Sequence, residues 1–126
     1  MNLLIDTHVF LWSEWRSREL SAVARAALND RNNRFVVSAA TIWEISIKRN
    51  TGRLEFEGDL IGACAANAFE LLPMTPQHAE LAGALPLHHS DPFDRMLIAQ
   101  ARIEDLVLLT QDRKLALYGV PLLGLT

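Results

Sequence analysis

The feature that most constrains this chain is a rhythm in which short, wholly apolar runs alternate with stretches that carry helical spacing. Asn2–Ile5 is the first run and Phe35–Val37 the second. Leu71 and Leu72, ending at Pro73, make a weaker third, Val107–Leu109 a strong fourth and Leu122–Leu123 a marginal fifth. Runs that are apolar throughout, rather than at every second residue, suit strands covered on both faces. Such strands alternating with helices predict an α/β fold of three layers, a central parallel sheet of about five strands with helices on both sides. With 126 residues, half of them hydrophobic, the chain is expected to form a single domain over residues 1–126 with a sizeable core.

The helical stretches carry start and stop signals. Ser21 is placed to cap a helix through Val23, Ala27 and Leu28, and Ser38 one from about Ala39 to Asn50 that stops before Gly52. Asp59 is expected to cap a helix through Phe69, and Thr75-Pro76 to open one toward Leu85. The clearest start is Asp91-Pro92-Phe93-Asp94: a capping acid, proline at the first helical position and an acid in the first turn. Its helix, from Pro92 to about Ile103, aligns Leu97, Ile98 and Ala101 in one apolar stripe.

One cysteine, Cys64, excludes a disulfide framework within the chain and fits a reduced, cytoplasmic setting. No stretch approaches the ~20 apolar residues of a membrane span, so no membrane partner is expected. The net charge of −3 argues weakly against a nucleic-acid binder. Setting aside four candidate site acids leaves twelve basic residues against eleven acidic ones, a balance of +1 that permits RNA as a partner.

Those four acids are Asp6, Glu44, Asp94 and Asp112. Ligands of an open parallel sheet sit beyond the carboxyl ends of its strands, where strand order reverses. Asp6 directly follows the first strand and Asp112 lies three residues after the fourth; they face each other if those strands are neighbours. Glu44 sits in the second turn of the helix after strand two, and Asp94 in the first turn of the helix before strand four, both near the same edge. Clustered carboxylates repel unless a cation neutralises them. Oxygen donors suit Mg²⁺ or Mn²⁺, whose use with phosphodiesters is hydrolysis. Each acid also has a plainer reading: Asp6 and Asp112 as helix caps, Glu44 as the i, i+4 partner of Lys48, and Asp94 as a helix-dipole acid.

Three blocks resemble the PIN-domain family, in particular the VapC-type toxins of bacterial toxin–antitoxin pairs. They are Leu3-Leu4-Ile5-Asp6-Thr7-His8-Val9 with Leu11-Trp12; Val37-Ser38-Ala39-Ala40-Thr41-Ile42-Trp43-Glu44-Ile45 with Lys48; and His88 through Ala101, containing Asp91-Pro92-Phe93-Asp94-Arg95, followed by Leu109-Thr110-Gln111-Asp112. The resemblance runs from residue 2 to about residue 123. It implies a Mg²⁺-dependent endoribonuclease, with Mn²⁺ as a possible substitute, that hydrolyses RNA phosphodiesters through metal-activated water. It also implies a homodimer held inactive by a VapB-type antitoxin. Selectivity on RNA is usually built on exposed loop bases, which makes a structured RNA such as tRNA a reasonable target class. Asp6, Glu44, Asp94 and Asp112 correspond to the family's catalytic and metal-binding acids, Asp6 and Asp94 foremost. The alternative is a catalytically silent PIN-like interaction module, against which the intact acidic set counts. A dehalogenase-type phosphatase would need a second aspartate where His8 stands, and a receiver domain lacks its paired acids and lysine.

Other residues have weighed roles. Asp91 reads as the cap that aims Asp94, or as an extra ligand. Thr7 and Thr110 are candidates to orient water or phosphate. His8 reads as cap or packing ahead of a general acid, and His88-His89 as substrate contact or loop ahead of a zinc site. Lys48, Arg49, Arg95 and Arg113 are candidates to hold an RNA backbone, Arg95 alternatively being an exposed helix arginine. Cys64 is not expected to be a nucleophile. Trp12, Trp15, Trp43, Phe10 and Phe56 divide between core, dimer contact and a groove for a partner helix.

Overall fold

The elements follow the order β1 (Asn2–Ile5), α1 (Thr7–Glu14), α2 (Ala22–Asn29), β2 (Arg34–Ser38), α3 (Ala39–Asn50), α4 (Leu60–Ala66), β3 (Glu70–Leu72), α5 (Pro76–Ala84), α6 (Pro92–Ile103), β4 (Val107–Leu109), a 3₁₀ helix (Arg113–Tyr118) and β5 (Leu122–Leu123). This computed structural model describes residues 1–125. Its five strands form one sheet ordered β3-β2-β1-β4-β5. Every pair is parallel, with Leu4 opposite Val36 on one side and Leu108 on the other.

The runs of β1, β2 and β4 are covered on both faces, as expected, whereas the edge strand β3 exposes Leu71 and β5 is half-buried. Leu3, Ile5, Val37 and Leu109 enter one cluster with Val9 and Phe10 of α1, Ala24 of α2, Ile45 of α3 and Cys64 of α4. Their neighbours Leu4, Val36 and Leu108 point the other way, into a cluster with Leu97 and Ile98 of α6, Leu115 and Tyr118. The twofold alternation of a strand thus feeds two cores from one short sequence. Truncating a fully buried Leu in such a core costs about 2–5 kcal/mol.

The expected caps form. Ser21 accepts from the Ala24 amide, Ser38 from Ala40, Asp59 from Ile61 and Gly62, and Thr75 from His78. One boundary differs: α4 ends at Ala66 instead of running through Phe69. Ala68 turns left-handed (φ 57°), and the Phe69 amide bonds back to the Cys64 carbonyl. That reversal puts the Phe69 ring against Phe10 and Phe35 and starts β3 at Glu70. Among the described residues, no helix is long and apolar enough to cross a membrane.

Strand order reverses between β1 and β4, because β1 leads to β2 on one side while β4 lies on the other. The carboxyl ends of these two strands define the crevice where such sheets place their ligands.

Candidate active site

Asp6 is the first residue beyond β1, and its amide extends the ladder by bonding to the Leu109 carbonyl at 3.0 Å. Its carboxylate is 3% exposed. One oxygen accepts the Val9 amide at 3.0 Å, capping α1, and the other accepts the Thr110 hydroxyl at 2.6 Å. The plain reading as a cap is therefore realised, and the same carboxylate lies at the carboxyl end of β1. The Thr110 oxygen also accepts the Asp112 amide at 3.1 Å, so one buried hydroxyl connects the acids that follow β1 and β4. Gly124 makes this anchoring possible: a Cβ there would lie 2.6 Å from the Thr110 carbonyl oxygen, and its φ of 115° disfavours any other residue.

Glu44, also 3% exposed, lies on the buried face of α3. Lys48 donates to its Oε2 at 2.7 Å, the i, i+4 pair anticipated from spacing. Its Oε1 is buried and has no hydrogen-bond partner. One turn earlier, the Thr41 hydroxyl meets that of Thr7 at 3.1 Å, locking α3 to the start of α1.

Asp94 occupies the first turn of α6. Asp91 caps that helix by accepting the Phe93 and Asp94 amides, so the capping reading of Asp91 holds. The Asp94 carboxyl is pushed up to about 8, first by burial and then by the negative charges of Asp91, Asp6, Glu44 and Asp112. Burial also raises Asp6, opposed by its bonds to Thr110 and Val9 and by the field of His8. All four predicted acids thus share one electrostatic neighbourhood. Asp112 caps the 3₁₀ helix through the Lys114 amide at 3.0 Å and turns its other oxygen toward the site. Between the outer acids stands His89, its Nε2 2.9 Å from Asp94 Oδ2 and 3.5 Å from Asp112 Oδ2. An opening of about 220 Å³ beside this cluster is lined by Asp6, His8, Trp12, Gln111 and Asp112.

The PIN-domain family model matches residues 3–120. The chain belongs to the PIN-domain family. Its fold is similar to that of VapBC2 from Rickettsia felis bound to a promoter DNA fragment (TM-score 0.67, 12% identity, 97% of each chain covered). It is also similar to FitAcB from Neisseria gonorrhoeae (TM-score 0.65, 19% identity, 95% of each chain). A third likeness is to VapBC-1 from nontypeable Haemophilus influenzae (TM-score 0.59, 18% identity, 97% of this chain and 96% of that one). No curated protein sequence matches the chain significantly.

PIN domains are generally nucleases that use a divalent metal. The residues of this PIN domain fit such an ion. Glu44 Oε1 is an orphaned buried acceptor, and the mutual repulsion around Asp94 marks a cluster short of positive charge. The oxygen-rich donor set suits a hard cation.

Arg95 is not the exposed helix arginine of the plainer reading. It is 9% exposed, and its guanidinium donates to the carbonyls of Ala82, Leu85 and Pro86 at 2.8–2.9 Å. The turn between α5 and α6 leaves those carbonyls without helical partners, and a planar, multi-donor cation satisfies them together. Arg49 similarly bonds the Phe56 and Gly58 carbonyls, Arg113 the Leu125 carbonyl, and Lys48 is paired with Glu44. The basic residues nearest the acids in sequence are thus engaged within the fold. Cys64 is buried and its thiol raised, chiefly by burial, which leaves it inert. Phe10 and Phe56 stack in the core at 6.1 Å. Trp15 and Trp43 are about half exposed, Trp43 meeting Phe93 edge-on at 5.3 Å. His89 is the residue that sequence spacing undervalued: nothing in His88-His89-Ser90 signals that this ring turns back onto the acids.

Proposed function

We propose that this PIN domain, spanning residues 1–126 as a single unit, is a Mg²⁺-dependent endoribonuclease. In this reading it is the toxin of a VapBC-type toxin–antitoxin pair, cytoplasmic and homodimeric, controlled by a VapB-type antitoxin. The observation that carries the nuclease reading is the set of four carboxylates gathered at the β1–β4 switch point, with Asp94 pushed to about 8 by burial first and then by the negative charges of Asp91 and the other three acids. The choice of RNA follows from the resemblance of the three sequence blocks, and that of a structured RNA such as tRNA from the exposed loop bases on which RNA selectivity is usually built. The antitoxin partner is supported by that resemblance and by the likeness to chains solved as VapBC and FitAB assemblies.

Asp6, Glu44, Asp94 and Asp112 would hold the cation, Mg²⁺ or Mn²⁺. Once bound, the ion supplies positive charge that polarises the phosphodiester and acidifies water. The chain's own contribution is placement. Thr110 and Val9 fix both oxygens of Asp6, so the deepest carboxylate does not rotate. Lys48 pins one Glu44 oxygen and leaves the other buried and unpartnered. The apolar residues beneath, Ile5 and Leu109, are fully buried and keep bulk water from the floor of the site.

The test compares wild type with Asp6→Asn and Asp94→Asn on a mixed structured RNA and on DNA of the same sequence, with Mg²⁺ and with EDTA. Cleavage confined to RNA, Mg²⁺ and the wild type is expected. Cleavage surviving in EDTA, or full activity in either variant, contradicts the mechanism; absence of RNA cleavage by antitoxin-free wild type favours a silent module.

A further inference from the structure

The geometry points to Trp12, with His8 beside it, as a stacking platform for one unpaired nucleobase of the RNA, next to the phosphodiester to be cut. The inference rests on the proposed nuclease site and adds to it the place where the substrate's base is held.

The two rings meet because of their spacing. His8 and Trp12 are one helical turn apart on α1, so both lie on one face of the helix. Their ring centroids are 5.5 Å apart, with the planes tilted by 39°. Rings already in contact leave no room for a base between them, so a base is received on the outer side of the pair. Val9 and Phe10 turn the other side of α1 into the core. Trp12 is half-buried and packs against that same core cluster, whereas His8 is exposed. The indole is thus held in place before a ligand arrives, and little side-chain freedom is lost on binding.

The opening of about 220 Å³ beside the acids is lined by these two rings, by Asp6 and Asp112, and by Gln111. Gln111 is occupied at both ends, its Oε1 accepting the Ser21 amide at 2.8 Å and its Nε2 donating to the Glu19 carbonyl at 2.9 Å. It ties the segment after α1 to the segment after β4, and the Ser17 amide bonds back to the Trp12 carbonyl at 2.8 Å. Among the described residues that line the opening there is no lysine or arginine, so a bare phosphate there would face Asp6 and Asp112 uncompensated. A nucleobase is uncharged and has a flat π-face to set against the indole. The substrate is thereby divided: its phosphate belongs with the cation proposed for the acids, and its base with Trp12. Every base can stack, so the platform favours unpaired over paired RNA and not one sequence over another. Trp15 offers the contrast. It is 46% exposed, yet it lines an opening with Glu14, Glu55 and Glu57, which repel the phosphates that accompany any base.

The test measures binding of a short single-stranded oligouridylate by fluorescence anisotropy and by quenching of tryptophan emission. It is run in Ca²⁺, a hard cation that oxygen donors accept, and in EDTA, with the length of the oligomer checked afterwards by gel electrophoresis. Trp12→Leu, which keeps an apolar side chain against the core, is expected to weaken binding roughly 5- to 150-fold. Trp12→Phe should weaken it by a smaller factor, and Trp15→Leu should leave it unchanged. Quenching in the wild type should vanish in Trp12→Phe although Trp15 and Trp43 remain. Replacing single uridines by abasic residues should reveal one position whose loss weakens the wild type but not Trp12→Leu, because removing the ring and removing its base abolish the same contact. Circular dichroism checks each variant; should Trp12→Leu fail to fold, Trp12→Phe and the abasic series carry the test. Unchanged affinity in Trp12→Leu, abasic losses that add to those of the variant, or an equal loss in Trp15→Leu overturns the proposal. Duplex RNA bound as tightly as the single strand also overturns it. Failure of the wild type to bind the oligomer in either condition would remove the RNA reading and the platform together, whereas RNA binding indifferent to Trp12 would remove the platform alone. Single-stranded DNA bound in preference, with the same dependence on Trp12, would remove the choice of RNA and keep the platform.

Discussion

The four acids divide into an inner and an outer pair, and the two halves are built differently. Asp6 and Glu44 lie at 3% exposure on or beside regular elements, each with at least one oxygen tied to a neighbour. The side chains of Asp94 and Asp112 are 18% and 35% exposed, on a helix start and a loop. Thr110 and Lys48 tie the inner pair from within the fold, whereas the outer pair stands at the start of α6 and at the cap of the 3₁₀ helix. The inner half is thus the more deeply enclosed and the outer half the more open to solvent, and substitutions should separate the two.

The largest expected effect belongs to the inner half. Asp6→Asn keeps an oxygen for the Val9 cap, so the fold should persist while the cleavage rate falls on the order of 10³-fold. If Asp112→Asn proves equally damaging in the same kinetic assay, the division into halves fails. Arg95→Met should act on the outer half through the loop it clamps. Leaving several carbonyls without their charged donor should lower stability by ~3 kcal/mol, read from urea unfolding. Thr110→Val tests the coupling between the halves, since its hydroxyl serves both Asp6 and the Asp112 amide. A 10–100-fold fall in rate with a loss of ~1–3 kcal/mol in urea unfolding is expected, and an unchanged rate would show that the halves act independently.

Much of this was legible in the sequence because strand runs, caps and the Asp91-Pro92-Phe93-Asp94 helix start are local signals. Asp6 and Asp112 became neighbours only on the condition that β1 and β4 pair, and they do, with Ile5 opposite Leu109. What local patterns cannot carry is the direction in which a long side chain turns. Arg95 follows Asp94 in the chain yet points to the opposite end of its turn, drawn by unpaired carbonyls of a different helix. His89 looked like loop for the same reason, since its partners are supplied by α6 and the segment beyond β4. The early end of α4 depended on Phe69 reaching Phe35, a contact between different elements.

The central claim is that these carboxylates form a cation site, and thermal unfolding against pH tests it most directly. Asp94 is raised from its ordinary value of 3.8 to about 8, so the folded state retains a proton that the unfolded chain has released. Stability contributed in this way is complete below about pH 4 and is lost as pH rises toward 8. The metal-free wild type should therefore show a midpoint that falls between pH 5 and pH 8, with a shallower fall in Asp94→Asn. At pH 8, Mg²⁺ or Mn²⁺ at about 100 times its Kd should add roughly 2.7 kcal/mol, a rise of several degrees, to the wild type and far less to Asp94→Asn. A wild-type midpoint indifferent to either cation, or an equal rise in Asp94→Asn, would contradict the account.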